Sequence, residues 1–330
     1  MIDVLTALFN LLIYPGLLFI SILGLVYEWV DRKAVARFQN RMGPFHTGPR
    51  GFLQPLADFI KLMAKEDITP AWADKILFAA APLFAIVIPT FATLYIPIAG
   101  KPVLPPFEGD LILIISLTTF FTITAFIAGW SSMNRFSTIG AIRAGLQLLA
   151  FEIPMFIAVA SVAMSANSLC ITTIAQKQIF EIQLAGTTYK ILLPYALLQP
   201  LGFAVFLIAL QAELERVPFD IPEAESEIVA GWLTEFSGKK LAFLRLSSDI
   251  RLVLGTALAT AIFLGGGNGP ILPPIIWFLI KATIIVIISA MLRALFARIR
   301  IDQLVIGAWK YLIPLSLVQL VFTKLLMVVM

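Results

Sequence analysis

Between Glu213 and Glu235 the chain places Glu213, Glu215, Asp220, Glu223, Glu225, Glu227 and Glu235, seven of its twenty acidic residues, within 23 positions. The segments on either side are apolar, so these carboxylates lie against a hydrophobic phase. Carboxylates crowded into a partly buried place raise one another's proton affinity, which suits proton relay or cation handling. Phe219, Ile221, Ile228, Val229 and Trp232 are interleaved with them. That interleaving favours partial burial over a solvated acidic loop. Pro218 disfavours helix at Val217, so the preceding helix is expected to end here, with Glu213 deeper than Glu215. For Glu215 a solvated helix terminus is an equal reading. If 223–227 were helical, Glu223 and Glu227 would share a face and Glu225 would point elsewhere.

A further carboxylate, Glu152, lies inside the apolar stretch GAIRAGLQLLAFEIPMF. A charge at the middle of a membrane helix costs about 2.5–3.5 kcal/mol on insertion scales. Glu152 is therefore expected to face protein or water, as an ion-path carboxylate in preference to a structural ion pair. Arg143 and Gln147 precede it on the same helix, toward its inner end. Asp249 and Arg251 begin another apolar segment close to Arg245, either within the same acid path or as a charge cluster anchoring the helix at the interface. Asp31-Arg32-Lys33 either stops the first apolar segment or lines an inner cavity. Lys281, mid-segment, either snorkels or pairs with a carboxylate. His46 has no co-ligands nearby and reads as a loop residue. Gly265-Gly266-Gly267 reads as a tight outer turn, because no Lys-Ser/Thr follows to make a phosphate loop.

The elements that must hold these residues are membrane helices. The chain is 60% hydrophobic and 13% charged, with a mean hydropathy of +0.95. Apolar runs of about 20 residues, the length needed to cross roughly 30 Å of hydrocarbon, recur at about 5–30, 76–99, 111–130, 138–166, 190–214, 248–266, 272–296 and 302–329. The fold class is all-α: a multi-pass membrane protein of eight transmembrane helices, residues 1–330 forming a single integral membrane domain. The runs are too long and continuous for barrel strands. The first is expected to be a retained helix and not a signal peptide, since it lacks a basic start and a small-residue cleavage site.

Two connections are long and dense in signal, 31–75 and 215–247. Within the first, Phe52, Leu53, Leu56, Phe59, Ile60 and Met63 recur at helical spacing opposite Gln54, Asp58, Lys61 and Lys65. This predicts an amphipathic helix lying on the membrane surface. With the N-terminus outside, eighteen Lys and Arg fall on inner segments and four on outer ones. The positive-inside rule then puts both termini outside the cell membrane and both long connections inside.

The net charge of +4 follows from helix flanking and not from a nucleic-acid face. One cysteine (Cys170) and one histidine (His46) exclude a chain-contained iron–sulfur cluster and disfavour zinc or haem. No metal or cofactor is expected on this chain, and any redox centre belongs to a partner. Two other function classes fit the same acids: a stand-alone cation-coupled secondary transporter, and a structural anchor for a peripheral enzyme.

Three segments carry a family resemblance. DRKAVARFQNRMGP (31–44), GFLQPLADFIKLMAKED (51–67) and ERVPFDIPEAESEIVAGWLTEFSG (215–238) resemble the quinone-site membrane subunit of respiratory complex I, the H subunit in bacteria and subunit one in mitochondria. The same family includes counterparts in membrane-bound hydrogenases and related ferredoxin-fed complexes. The resemblance covers the chain from about residue 27 onward. It implies antiporter-like packing of helices two to six, and inner loops that dock a peripheral iron–sulfur arm. It also implies antiporter-like membrane partners and a quinone as a possible ligand.

Carried onto matching positions, the resemblance implies an ion path of Glu152, Glu213, Glu223, Glu225, Glu227 and Glu235, to which Glu215 and Asp249 are added as candidates on their own placement. A redox chamber facing the arm would comprise Asp31, Arg32, Lys33, Arg37, Arg41, Asp58, Lys61, Arg216 and Asp220, with Arg143 and Gln147 as helix-four polar residues. The chain departs from the family at Phe45-His46, at Pro154, at Glu215, and at Ser248-Asp249-Ile250-Arg251, where a glutamate-containing segment is usual. With the run GKKLAFLRLSSDI (238–250), these departures lean toward a ferredoxin-fed complex of hydrogenase or sulfur-reductase type. The alternative is the quinone-binding H subunit of NADH–quinone oxidoreductase.

Overall fold

A computed structural model describes residues 2–184 and 187–329. The chain enters through α1 (Ile2–Leu12) and α2 (Leu17–Phe38). Pro15, which has no N–H to donate, separates them, and the Ile13 and Tyr14 N–H groups both turn back to Phe9 O. Helix α2 runs past the expected end at residue 30, so Asp31, Arg32 and Lys33 are helical and not part of a loop. It closes where Asn40 adopts a left-handed φ of 54° and the Arg41 N–H bonds Ala36 O at 2.8 Å, a left-handed helix cap.

The surface helix α3 (Gln54–Ala64) forms as the apolar spacing predicts, with a proline in its first turn, and packs on α2 and α11 (Gly238–Phe263). Helix α4 (Lys75–Thr93) is capped by Asp74, which accepts the Ile76 and Leu77 N–H groups. It pairs with α5 (Asp110–Ser131), and α5 pairs with α6 (Arg135–Ala166). A short α7 (Ile171–Gln176) leads into an antiparallel hairpin, β1 (Ile179–Leu184) and β2 (Thr187–Leu192), and then a single turn α8 (Tyr195–Leu198). Helix α9 (Pro200–Glu213) follows. The span expected over 190–214 is thus shorter, its first residues belonging to the hairpin.

At 14 residues α9 covers about 21 Å, less than the roughly 30 Å hydrocarbon thickness. Non-helical backbone after so short a span is tolerated where it is buried in protein or lines a cavity, and residues 211–216 are all buried. The second long connection carries one turn of helix, α10 (Glu225–Ile228), before α11. Next come α12 (Pro274–Leu295), α13 (Ile301–Gly307) and α14 (Ile313–Val329), the last two joined by a π turn at Ala308–Leu312. Among the described residues, seven helical runs are long and apolar enough to cross a membrane, with α9 as a shorter eighth. The membrane body is all helical, and the hairpin is an addition to it.

Helix α11 is the axis of the molecule, packing on α2, α3, α4 and α12. Helix α6 packs on α5, α9 and α14. Apolar side chains that remain exposed, among them Leu18, Ile22, Leu83, Phe84, Phe120, Val318 and Phe322, belong to helices long and apolar enough to span a membrane, as suits contact with lipid or a partner subunit. The connection from α9 to α11 is fastened into a notch between α5 and α6. A Cβ on Gly140 would sit 2.5 Å from Trp232 N, and one on Gly129 would sit 3.0 Å from Trp232 Cβ. Trp232 is buried there. Phe236 stacks on Phe78 at 4.2 Å, and Phe219 meets Phe151 edge-on at 4.9 Å.

Candidate functional site

Helix α2, α3, the start of the 214–225 segment and α11 enclose a charged chamber of about 400 Å³. Its wall is a chain of ion pairs. Glu28 accepts from Arg32 Nε at 2.6 Å, and Arg32 Nη1 reaches Asp58 at 2.8 Å. Lys61 lies 3.7 Å from the same Asp58. Arg216 sits 2.9 Å from Asp31 and 3.4 Å from Glu28, while Arg293 of α12 reaches Asp31 at 2.7 Å. Asp31 is 0% exposed, so two guanidinium groups compensate one buried carboxylate. Burial opposes ionisation of Asp58, yet bonds from Arg32 and Gln54 outweigh it and hold this carboxyl below the usual range.

Further carboxylates line the chamber or adjoin it. Glu223 and Glu225 line the chamber with Glu215, Asp220 and Asp249. Burial pushes the Glu223 carboxyl up, opposed by Arg245. Burial pushes Glu215 up to about 7, against the pull of Arg251, with Glu223 adding to the rise. Arg251 Nη1 lies 3.6 Å from Glu215. Glu213 lies in electrostatic range of Arg251, Glu152 and Glu215. Glu152 on α6 accepts a hydrogen bond from Thr119 of α5, so it faces protein as expected. Gln147, five residues nearer the start of α6, donates to Ala212 O at 2.9 Å and ties α6 to the end of α9.

Other predicted residues have other partners or positions. Glu227 is exposed and pairs with Arg143 at 2.5 Å; the hydrogen bond from Arg143 holds its carboxyl below the usual range. Glu223 falls outside the one-turn helix, so Glu223 and Glu225 share the chamber and Glu227 does not. Glu235 is half-buried and accepts from Asn134 at the start of α6. Asp220 is held by Arg298 at 2.5 Å. Lys33 donates to Pro44 O at 2.8 Å and Arg50 O at 3.3 Å, away from the acids. Arg37 and Arg41 are exposed and line a separate open cleft with Lys33 and Arg50. Asp249 and Arg251 do not open their helix: α11 begins at Gly238, and both sit in its interior.

Sequence reasoning missed Glu28, Arg293 and the central place of Arg251. Glu28 stands four residues before Arg32, the spacing of a helical ion pair, so that signal was present. Arg251 reads as interfacial in sequence because the charged stretch 238–247 does not look like membrane helix. Lys281 neither snorkels nor meets a carboxylate: its ammonium donates to Leu264 O, Gly266 O and Asn268 O at 2.7, 2.9 and 2.7 Å. It closes the turn after α11. Among the described residues no group of three or more His, Cys, Asp or Glu side chains could hold a metal ion.

Fold and site together define a multi-pass membrane protein with a charged chamber next to the buried carboxylates Glu213 and Glu215. The chain belongs to the NADH dehydrogenase family, whose model matches residues 11–324. It is 40% identical over 316 residues to the H subunit of NADH-quinone oxidoreductase from Dehalococcoides mccartyi strain CBDB1, covering 95% of this chain and 86% of the relative. Identity to the H subunit from Thermomicrobium roseum is 38% over 317 residues, 92% of each chain. To the NADH-quinone oxidoreductase H subunit numbered 2 in Syntrophobacter fumaroxidans it is 35% over 333 residues, 96% of each chain. These relatives carry the name of the quinone-linked alternative and not of the hydrogenase-type branch toward which the departures leaned.

Proposed function

We propose that the chain is the H-type membrane subunit of a complex I-like NADH–quinone oxidoreductase, coupling electron transfer in a peripheral arm to movement of H⁺ or Na⁺. The observation that carries this reading is the electrostatic coupling of successive acids, from Glu223 and Glu225 in the chamber through Glu215 and Glu213 to Glu152 inside a spanning helix. The chamber suits a quinone headgroup: Arg32, Arg245 and Ser248 offer donors for its carbonyl oxygens, and Leu25, Phe59 and Leu62 offer apolar surface for its ring. Its volume falls within the range of small-molecule sites. Iron–sulfur clusters belong to partner subunits docked on 31–75 and 215–247, and antiporter-like subunits continue the ion path sideways. The complex resides in the cell membrane with both termini of this chain outside.

The coupling is electrostatic. A unit charge appearing roughly 10 Å from a buried carboxylate changes its ionisation by about 1.7 kcal/mol at an effective dielectric of 20, more than one pKa unit. Reduction of quinone in the chamber thus alters the proton affinity of Glu223 and Glu215, and Glu213 and Glu152 pass that change into the membrane. The test uses the whole complex in liposomes, driven by NADH and quinone. Glu213→Gln and Glu152→Gln should each lower ion translocation at least tenfold while the complex still assembles. Translocation at the unaltered rate in both variants would remove the reading. Electron delivery from ferredoxin, with none from NADH, would return the chain to the hydrogenase-type branch.

A further inference from the structure

We infer that Arg251 is a positioning residue for the acid row, holding the Glu215 carboxylate on one side and a bridging water toward Glu213 on the other; this rests on the ion-path reading above. Arg251 stands in the interior of α11 and is 6% exposed. Its guanidinium carbon lies 4.0 Å above the Phe121 ring, a cation–π contact that holds the charge without using an N–H. Nη1 faces Glu215 at 3.6 Å. Nε and Nη2 are buried and have no protein partner, and neither has Oε1 of Glu215. Buried N–H groups of a charged side chain are costly to leave unpaired, so these two specify a ligand.

The adjoining space says which ligand. Between α4, α5, α6, α9 and α11 lies a cavity of about 30 Å³, lined by Arg251, Glu213 and Thr118 among apolar neighbours. That is room for one or two waters and too little for an organic molecule. A water there accepts from Arg251 and donates toward Glu213, which joins the two halves of the row through a fixed cation. The charged groups bearing on this point are Glu213 from α9, Glu152 from α6, and Glu215 and Glu223 from the following segment. The residues of α4 and α5 that line the cavity carry no charge. On α11 itself the nearby charges are Arg245 and Asp249.

The test compares Arg251→Met, Arg251→Lys and Glu213→Gln in the intact complex, with ion translocation measured across pH. Arg251→Met should lower coupled turnover about tenfold and move its pH profile to more alkaline values, because a lost cation lets neighbouring carboxyls keep their protons longer. Arg251→Lys should restore most of the pH position. An unchanged profile and rate in Arg251→Met, with Glu213→Gln inactive, would overturn the role of Arg251 and leave the ion path standing. Normal translocation in Glu213→Gln and in Glu152→Gln alike would instead overturn the ion path. Should Arg251→Met fail to assemble, a map of the unaltered complex at water-resolving detail decides. Density within hydrogen-bond distance of Nε or Nη2 supports the assignment, and a dry cavity there overturns it.

Discussion

At the scale of single residues, the outcome for each charge depends on what compensates it. Asp31 is fully buried between Arg216 and Arg293. Removing one member of a buried ionic group costs on the order of 3–5 kcal/mol, because the remaining charge stays desolvated. Asp31→Asn should therefore lower the thermal midpoint of the purified protein, or prevent its accumulation, whereas Arg37→Gln, at an exposed site, should leave it unchanged. Glu215 follows the opposite logic. Its carboxyl is raised to about 7, so the folded state binds this proton more tightly than the unfolded chain does. The associated stability is fully present below about pH 4.5, is lost as pH rises through about 7, and stays lost above. Melting curves across that window should show the loss, and Glu215→Gln should flatten it.

At the scale of elements, the legible parts and the hidden ones differ for physical reasons. Apolar runs of spanning length exposed most helices, and the apolar periodicity of Phe52, Leu56, Phe59 and Met63 exposed α3. The ten residues that begin α11, GKKLAFLRLS, are helical yet too charged to read as membrane. Their omission moved Arg251 from the centre of the molecule to its edge. The hairpin had its own signal, alternation across IFEIQL and TTYKIL, which the surrounding apolarity masked. Ion pairs joining distant segments, such as Arg293 with Asp31, leave no local trace at all. Two expected outcomes belong here. Gly140→Ala forces a methyl against the Trp232 backbone, an overpacking cost of about 1–3 kcal/mol, and hydrogen exchange should rise over 229–236. Lys281→Met strips the donor from three carbonyls and should cost about 1–3 kcal/mol, with faster exchange over 264–269.

At the scale of the whole molecule, the positive-inside rule predicts the orientation, with the chamber on the side richer in Lys and Arg. The lone cysteine, Cys170, is buried, which makes the orientation easy to test. In a Cys170→Ser background, Lys101→Cys should react with a membrane-impermeant maleimide from outside, and Lys239→Cys only after the membrane is opened. The reverse pattern would invert the topology. The row of carboxylates gains a further meaning in that frame. Glu152 lies 17 residues along α6 from Arg135, about 25 Å of helix rise. Arg143, nine residues before Glu152, still meets the exposed Glu227, so a charge carried along the row to Glu152 would cross part of the membrane's electric field. Each elementary charge moved through 100 mV involves about 2.3 kcal/mol. On the proposed ion path the row is an electrical load as well as a chemical path, and a polarised membrane should push back through it on the redox reaction, slowing turnover as voltage builds.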